Sequence, residues 1–210
     1  SDRQISQRTE MLAGVSNDLR TPLTRMKLAL AMLPPTSGVD ELKRDVADME
    51  RMIEGYLAFA RGQDAEPALP QDLSALLAQV ASDARRQGRD IALDCPEGLT
   101  QPLHLMPFKR ALTNLIDNAL RHGQHVAVAA RRLPDAVEIT VDDDGPGIPE
   151  ESRDEVFRPF TRLDKSRNTE TGGVGLGLTI ARDVVRAHGG DVTLLQAPLG
   201  GLRARIRLPV

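Results

Sequence analysis

The sequence predicts two domains, an all-α helical hairpin followed by an α+β sandwich. Up to about residue 62, apolar residues recur at steps of three and four, the period of amphipathic helices. Glycine and proline then punctuate residues 62–71, and beyond them short alternating patterns of strand type are interspersed with helical ones. We therefore assign residues 1–62 to the hairpin, 63–71 to a linker that can contribute a short edge strand, and 72–210 to the sandwich.

The first helix is predicted over residues 5–33. Pro22 removes one helix hydrogen bond and clashes with the carbonyl of Asp18, so we expect a bend there. Asn17 lies off the apolar face, and its side chain is therefore expected to point into solvent. The residues of that face form a single seam: Leu12, Val15, Leu19, Leu23, Met26, Leu30 and Leu33.

The second helix follows a turn over residues 34–38, and Asp40 is expected to cap it. Two helices that share one apolar face are too little to form a core, whereas two such hairpins make a four-helix bundle. We therefore predict a homodimer, with packing of the hairpin against the rest of its own chain as the alternative. The second seam consists of Leu42, Val46, Met49, Ile53, Tyr56 and Ala60.

The sandwich is predicted as one sheet with helices on one face, because strands joined by hairpins are interspersed with helical segments. The last two strands are expected to form a hairpin over Gly200 and Gly201. The predicted helices cover residues 72–86, 107–121 and 179–188 (the last begun near 175), and the predicted strands cover 91–94, 102–105, 126–131, 137–142, 191–196 and 202–208.

Composition argues against several classes of function. A net charge of -3 and an aromatic content of 2% speak against nucleic-acid binding. Cys95 is the single cysteine, so no internal disulfide can form, and no base stands beside it in the sequence. No apolar run approaches the roughly 20 residues that span a bilayer.

A helical segment carries polar residues at the spacing of one face, at Asn114, Asn118, Arg121 and His122. Amide oxygens suit a magnesium ion that bridges phosphates, and the two basic residues can meet phosphate charge. A solvated helix face carrying ordinary polar residues would show the same spacing. The spacing alone leaves both interpretations open.

Two glycine-containing motifs favour a nucleotide. Asp143 to Gly147 follow a strand as Asp-Asp-Gly-Pro-Gly, and a calcium loop is excluded there because Thr140 would occupy its first ligand position. The second motif, Gly-Val-Gly-Leu-Gly at residues 173–177, opens a helix, where backbone amides can bind phosphate. It lacks the βαβ context of a dinucleotide fold and the Gly-Lys-Ser/Thr of a P-loop.

Five motifs in one order, across roughly residues 11–205, resemble the H, N, G1, F and G2 boxes of bacterial two-component sensor histidine kinases of the osmosensor class. The H-box match is Gly-Val-Ser-Asn-Asp-Leu-Arg-Thr-Pro-Leu-Thr-Arg at residues 14–25, and the F-box match is Phe-Arg-Pro-Phe at 157–160. The resemblance implies a dimerisation and phosphotransfer hairpin followed by an ATP-binding domain of the Bergerat (GHKL) type.

The H-box departs from the family at one residue, because Asn17 stands where the family has its phosphoacceptor histidine. An amide nitrogen is not a usable acceptor, since its lone pair is delocalised into the carbonyl group. By the resemblance, Asp18 would orient or deprotonate the imidazole, Arg20 would assist phosphate, and Thr21 would help to position water for dephosphorylation of a regulator. This chain is therefore expected to be unable to autophosphorylate. One base change converts histidine to asparagine at nearly constant size, which suits a deliberate substitution, with a natural asparagine as the alternative.

The resemblance also implies an ATP site with magnesium. Asp143 would accept a hydrogen bond from the adenine amine, and Asn118, with Asn114, would hold Mg²⁺. The further residues expected to contact nucleotide are Arg121, His122, Gly145, Gly147, Phe160, Arg162, Gly173, Gly175 and Gly177.

As partners the resemblance implies a second copy of the chain and the receiver domain of a response regulator. It implies the cytoplasmic portion of a bacterial inner-membrane protein, attached to the membrane only through an N-terminal sensor part. A non-catalytic docking module that senses nucleotide is the alternative function. An ATPase of the gyrase and chaperone superfamily would share the nucleotide motifs but would not explain Asp-Leu-Arg-Thr-Pro-Leu at residues 18–23.

Overall fold

The computed structural model describes residues 18–62, 67–158 and 177–210, with the side chains of 51–52 and 55–62 excepted. The chain divides into two compact units. Residues 18–62 form a helical hairpin in the first unit, and the remaining described residues form a sandwich of sheet and helices in the second. No helix in these ranges is both long and apolar enough to cross a membrane.

The hairpin consists of α1, described over residues 18–31 and so ending two residues before the predicted end at Leu33, and α2, Ser37–Gly62. Thr36 caps the N-terminus of α2, because its hydroxyl accepts a hydrogen bond from the backbone N–H of Val39 at 3.3 Å. Asp40 lies inside the first turn, and its N–H already donates to the carbonyl of Thr36. The prediction that Asp40 caps this helix is therefore wrong, because a threonine four residues earlier takes that place.

The two helices bury only part of their predicted seams against each other. Leu23, Leu30 and Val46 form a small buried core, against which Val39, Met49 and Ile53 pack in part. The remaining described residues of the first seam are open to solvent within one chain: Leu19 is 43% exposed, Met26 40% and Leu33 49%.

The second unit contains a five-stranded mixed sheet in the order β2-β4-β5-β7-β6. The pair β2 and β4 is parallel, and the other neighbours are antiparallel. These strands are β2, Ile91–Asp94; β4, Val126–Arg132; β5, Ala136–Asp143; β6, Asp191–Gln196; and β7, Leu202–Pro209.

A separate two-stranded ribbon, β1 (Leu69–Asp72) with β3 (Thr100–Leu103), corrects the prediction of a single sheet. Pro70 and Pro102 are partners in its register. Because proline has no N–H to donate, a strand that contains it is confined to a sheet edge. β3 ends at Leu103, two residues earlier than predicted, because α4 begins at Leu105.

Among its described residues, the second unit contains three α-helices: α3, Leu73–Arg86; α4, Leu105–His122; and α5, Gly177–Ala187. Asp72 caps α3 by accepting a hydrogen bond from the N–H of Ala75 at 3.0 Å. α4 begins two residues before Pro107, since the first turn of a helix needs no backbone donor from proline. Apolar residues of these helices and of the facing strands, such as Leu112, Val185 and Ile206, form the buried core. The predicted sandwich of sheet and helices is confirmed.

The central strand β5 is buried on both sides, although one of its faces is polar. Asp142 pairs with Arg203 of β7 through two hydrogen bonds of 2.7 Å. Glu138 accepts hydrogen bonds from Arg131 of β4 at 2.6 and 3.0 Å. Long arginine side chains can cover a sheet face with their aliphatic stems while their charged ends remain hydrated.

Candidate nucleotide site

Asp143 ends the central strand β5 and is only 3% exposed. Its Oδ1 atom accepts hydrogen bonds from the backbone N–H groups of Gly145, at 2.9 Å, and Leu202, at 3.1 Å. The N–H of Gly201 donates to the Asp143 carbonyl at 3.1 Å. The side chain is thus held in one orientation by backbone donors. Both described bonds use Oδ1, so Oδ2 is the oxygen left to accept from a ligand.

The glycines around Asp143 allow the backbone to come close. A Cβ atom on Gly201 would lie 2.2 Å from Asp143 Oδ1, and one on Gly145 would lie 2.5 Å from the carbonyl oxygen of His122. Gly147 has a φ of 71°, a left-handed conformation that favours glycine. The end of β5, the end of α4 and the β6–β7 turn therefore meet at this carboxylate.

The predicted polar face of α4 is present. Asn114 and Asn118 are half-buried one turn apart, and Arg121 and His122 are exposed at the end of the helix. Asn114 Nδ2 donates to the carbonyl of Gly177, the first residue of α5, at 3.4 Å. No hydrogen bond is formed by the Asn118 amide within the described ranges, so this amide is free to bind a ligand.

A second carboxylate beside Asp143 has a structural role. Asp144 accepts hydrogen bonds from the backbone N–H groups of Gln124 and His125, at 2.7 and 2.9 Å, and its Oδ2 lies 2.6 Å from His125 Nδ1. The bonds from the His125 backbone and ring, more than any other cause, lower the pKa of Asp144 to about 2. Asp144 thereby holds the loop after α4 against the end of β5.

The structure brings five of the predicted nucleotide residues into two contact groups. Gly145 lies against His122 and Asp143, and Gly177 is bonded to Asn114. Phe160, Arg162, Gly173 and Gly175 lie outside the described residues. In the part of the chain that the structure describes, no three His, Cys, Asp or Glu side chains come together as a metal cluster.

In the hairpin, Asn17 also lies outside the described residues. Asp18, Arg20 and Thr21 follow it on α1, and all three are exposed. Arg20 approaches Glu54 of α2 at 4.0 Å, an exposed contact that contributes little to stability. The bend expected at Pro22 stays a prediction.

Sequence reasoning misses the contribution of the β6–β7 turn to this site. It places Gly201 and Leu202 only in a hairpin, yet both donate backbone hydrogen bonds to Asp143. The sequence does carry a signal for this contact. A tight turn needs only one residue of positive φ, so the second glycine of Gly200-Gly201 calls for another explanation. Gly200 already supplies the positive φ, at 102°.

Two family models match the chain in the order of these two units. The model for the His Kinase A (phospho-acceptor) domain matches residues 7–65, and that for the histidine kinase-, DNA gyrase B- and HSP90-like ATPases matches residues 104–210. The second match covers just over half of the chain. The chain therefore belongs to the histidine kinases, with a phosphoacceptor-type helical domain followed by an ATPase-type domain.

Relatives and solved structures agree with this assignment. The sensor histidine kinase CpxA of Escherichia coli K12 is 35% identical over 222 residues, which cover 100% of this chain and 48% of CpxA. The crystal structure of full-length ShkA in complex with AMPPNP superposes with a TM-score of 0.68 at 27% identity, over 95% of this chain and 45% of ShkA. The histidine kinase domain of the E. coli osmosensor EnvZ gives a TM-score of 0.54 at 35% identity, over 70% of this chain and 91% of that domain. The chain spans about half the length of the curated relatives it matches.

Proposed function

We propose that this chain binds Mg-ATP in its second unit but does not accept the phosphoryl group, because Asn17 stands at the acceptor position. The observation that carries the proposal is the buried carboxylate of Asp143, which backbone donors orient at the junction of β5, α4 and the β6–β7 turn. A buried carboxylate oxygen that lacks a hydrogen-bond partner is costly, so Oδ2 of Asp143 is expected to accept a hydrogen bond from a bound ligand.

Adenine is the base that this carboxylate suits. Oδ1 already accepts two backbone hydrogen bonds, which leaves Oδ2 to accept from an exocyclic amine. Guanine presents a carbonyl oxygen at the corresponding position, and two acceptors facing each other repel. Asp143 is therefore proposed to select adenine over guanine.

The polar face of α4 is proposed to hold the phosphate end with its magnesium ion. Within the described residues the Asn118 amide forms no hydrogen bond, and Asn114 uses its amide nitrogen toward Gly177, which leaves its oxygen for a cation. Both oxygens fit Mg²⁺, an ion that retains waters and takes few protein ligands. Bound magnesium would neutralise phosphate charge, while Arg121 and His122 at the exposed end of α4 meet the remaining charge.

The test of nucleotide binding compares the unmodified chain with Asp143→Asn. The unmodified chain is expected to bind ATP in a magnesium-dependent manner and to prefer it to GTP. The amide introduced by the substitution can offer a donor toward the base, so the preference for ATP should fall by roughly tenfold or more, as expected for a buried charged acceptor. An undiminished preference in the variant would contradict the role of Asp143.

The test of phosphoryl transfer compares the unmodified chain with Asn17→His. With radiolabelled ATP and magnesium, the unmodified chain should acquire no covalent label, because an amide nitrogen is not nucleophilic. The histidine variant should become labelled, and the label should be acid-labile and alkali-stable as a phosphoramidate. Equal labelling of both chains would show that another residue is the acceptor.

We further propose that the chain is part of a cytoplasmic, dimeric portion of a sensor and that it acts on a response regulator. A phosphatase reaction on the regulator's aspartyl phosphate needs no phosphohistidine, so it can persist with Asn17. Thr21, exposed on α1, is proposed to help position the attacking water. Thr21→Ala should then slow dephosphorylation of a supplied phosphoregulator without abolishing its binding.

A non-catalytic docking module is the second candidate, and Asn17 is the observation that favours it. Such a module would bind the regulator and nucleotide but leave the regulator's phosphate untouched. Acetyl-phosphate-labelled receiver domain, incubated with and without this chain, separates the two candidates. Faster loss of the label in the presence of the chain supports the phosphatase, and an unchanged rate with measurable binding supports docking alone.

A further inference from the structure

Phe157 is held to α5 by two separate contacts. It ends a short 3-10 segment, Glu155–Phe157, and the residue is 9% exposed. The hydroxyl of Thr179 donates to the Phe157 carbonyl at 2.7 Å. The guanidinium of Arg182 lies over the Phe157 ring, 4.2 Å from its centroid. Thr179 and Arg182 are three residues apart and therefore share one face of α5.

Arg182 is itself held in place by hydrogen bonds to a residue of the sheet. Its Nε atom donates to Asp191 Oδ1 at 3.0 Å, and a terminal nitrogen donates to Oδ2 at 3.4 Å. Burial raises the pKa of Asp191, but the hydrogen bonds from Arg182 and Arg186 outweigh it and hold that pKa at about 2. Asp191 therefore stays charged at neutral pH. It is the first residue of β6, so a strand, a helix and an aromatic ring are joined through one guanidinium.

The first residue of α5 also contacts the helix that carries the proposed phosphate end. α5 begins at Gly177, whose carbonyl accepts the hydrogen bond from Asn114 of α4. Thr179 lies in that first turn, so its bond to Phe157 limits how far the turn can move relative to α4. The adenine end at Asp143 depends on other contacts, from Gly145 and Leu202.

We infer that Arg182 and Thr179 are positioning residues for the phosphate end of the nucleotide site, acting through Phe157 and the first turn of α5. They do not touch the nucleotide in this scheme. The inference rests on the proposed ATP binding. It adds that these two residues, which lie outside the recognised motifs, help to set the affinity for the phosphates. Adenine recognition is independent of them.

Arg186 provides a matched control for Arg182. Its Nε and terminal nitrogen donate to the same two oxygens of Asp191, at 3.1 and 3.4 Å. Within the described residues it makes no contact with an aromatic ring, and its side chain is 53% exposed. Methionine at position 186 removes one arginine from Asp191 and leaves the Phe157 contact in place.

The experiment measures dissociation constants of the full chain for Mg-ATP and for adenosine, with the variants Arg182→Met, Arg186→Met and Thr179→Val. Arg182→Met and Thr179→Val should each weaken ATP binding by about tenfold, the scale of one lost cation-π contact or hydrogen bond. Adenosine affinity should change by less than about twofold, since it lacks the phosphates. Arg186→Met should leave both affinities within about twofold. Arg182→Lys and Thr179→Ser should recover most of the loss.

Parallel weakening of ATP and adenosine, or equal effects of Arg182→Met and Arg186→Met, would overturn the inference while ATP binding itself stands. Failure of the unmodified chain to bind ATP would instead overturn the proposed function. Thermal unfolding of each variant shows whether it is folded at the assay temperature. If Arg182→Met is unfolded at that temperature, Phe157→Leu replaces it, because it removes the ring and keeps an apolar side chain. It too should weaken binding of ATP but not of adenosine.

Discussion

Gly201, in the turn between β6 and β7, lies directly against the carboxylate of Asp143 at the end of β5. A Cβ atom at residue 201 would be 2.2 Å from Asp143 Oδ1 and 2.6 Å from the backbone nitrogen of Gly145. These are backbone and buried atoms, so neither can move aside without breaking the hydrogen bond that joins them. The adenine end of the proposed site thus depends on the absence of one side chain in a distant turn.

Gly201→Ala is accordingly expected to displace Asp143 and to lower affinity for ATP by roughly tenfold or more, as for the loss of a well-oriented buried hydrogen bond. Isothermal titration with Mg-ATP measures this loss. Gly200→Ala is the matched control, because Gly200 has a φ of 102° but open space around it. Alanine there strains the same turn without approaching the carboxylate. Equal losses of affinity in the two variants would contradict the steric argument.

The sequence predicts most of the second unit because its strands and helices carry clear periodic patterns. The strands β4, β5, β6 and β7 differ from their predicted bounds by one residue or less. The pairing of β1 with β3 is not predictable in this way, since two four-residue strands with a proline in each carry almost no alternation. In the hairpin, Thr36 escapes prediction as a cap because acidic Asp40 gives the stronger signal.

The candidate site is predictable where a motif is continuous and not where distant segments meet. Asp143, Gly145 and the α4 face follow from local patterns. The contacts of Asp143 with Gly201 and Leu202 span about sixty residues of sequence, and those of Phe157 with Arg182 join separate elements. Such contacts depend on strand order, which hydrophobic periodicity does not specify.

His188 links the stability of the second unit to pH. Its Nε2 atom accepts a hydrogen bond from the backbone N–H of His104 at 3.0 Å, and its Nδ1 atom lies 2.7 Å from the carbonyl of Val184. This arrangement needs the neutral ring, with the proton on Nδ1. Burial, more than the nearby His104, lowers the pKa of His188 below 6.5, against the raising effect of the Val184 bond.

The free energy of unfolding should therefore fall as the pH is lowered through and below about 6.5, because the unfolded chain binds the proton first. The loss is complete once the pH lies below the lowered pKa of the folded state. Urea unfolding between about pH 8 and pH 5 measures it, with His188→Gln as the comparison, since glutamine can replace both hydrogen bonds without titrating. An identical slope in the two chains would show that other groups cause the pH dependence.

Arg203 is expected to stabilise the fold by pairing with a carboxylate that has little access to water. The Asp142 side chain is 10% exposed and receives two bonds of 2.7 Å from Arg203. Arg203→Met should lower the free energy of unfolding by about 2–3 kcal/mol, because it leaves a largely buried charge unpaired. Chemical denaturation measures this value. The double variant with Asp142→Asn should recover much of the loss, and a double variant as unstable as the single one would contradict the explanation.

Part of the predicted apolar face of α1 is exposed in one chain, and we expect it to form the interface of the proposed dimer. Leu19 and Met26 lie seven residues apart on α1, and Leu33 follows just beyond its end; each is at least 40% exposed in one chain, while Leu23 and Leu30 are buried within the hairpin. An apolar face that is only partly buried within its own hairpin is expected to pack against a second copy of the hairpin. Substitutions on its open side should thus separate subunits without unfolding the hairpin.

Met26→Asp should convert the dimer into monomers, since burying a carboxylate between helices costs several kcal/mol unless it is protonated. Leu28→Asp is the matched control, because Leu28 is a 62% exposed residue of the same helix that lies off the seam. Light scattering at micromolar concentration should give twice the chain mass for the unmodified chain and for Leu28→Asp, and a single chain mass for Met26→Asp.

Helical content by circular dichroism should stay close to that of the unmodified chain, since Leu23, Leu30 and Val46 keep the hairpin core. A single chain mass for the unmodified protein would refute the dimer, and dissociation by Leu28→Asp as well would place the interface on another face of α1.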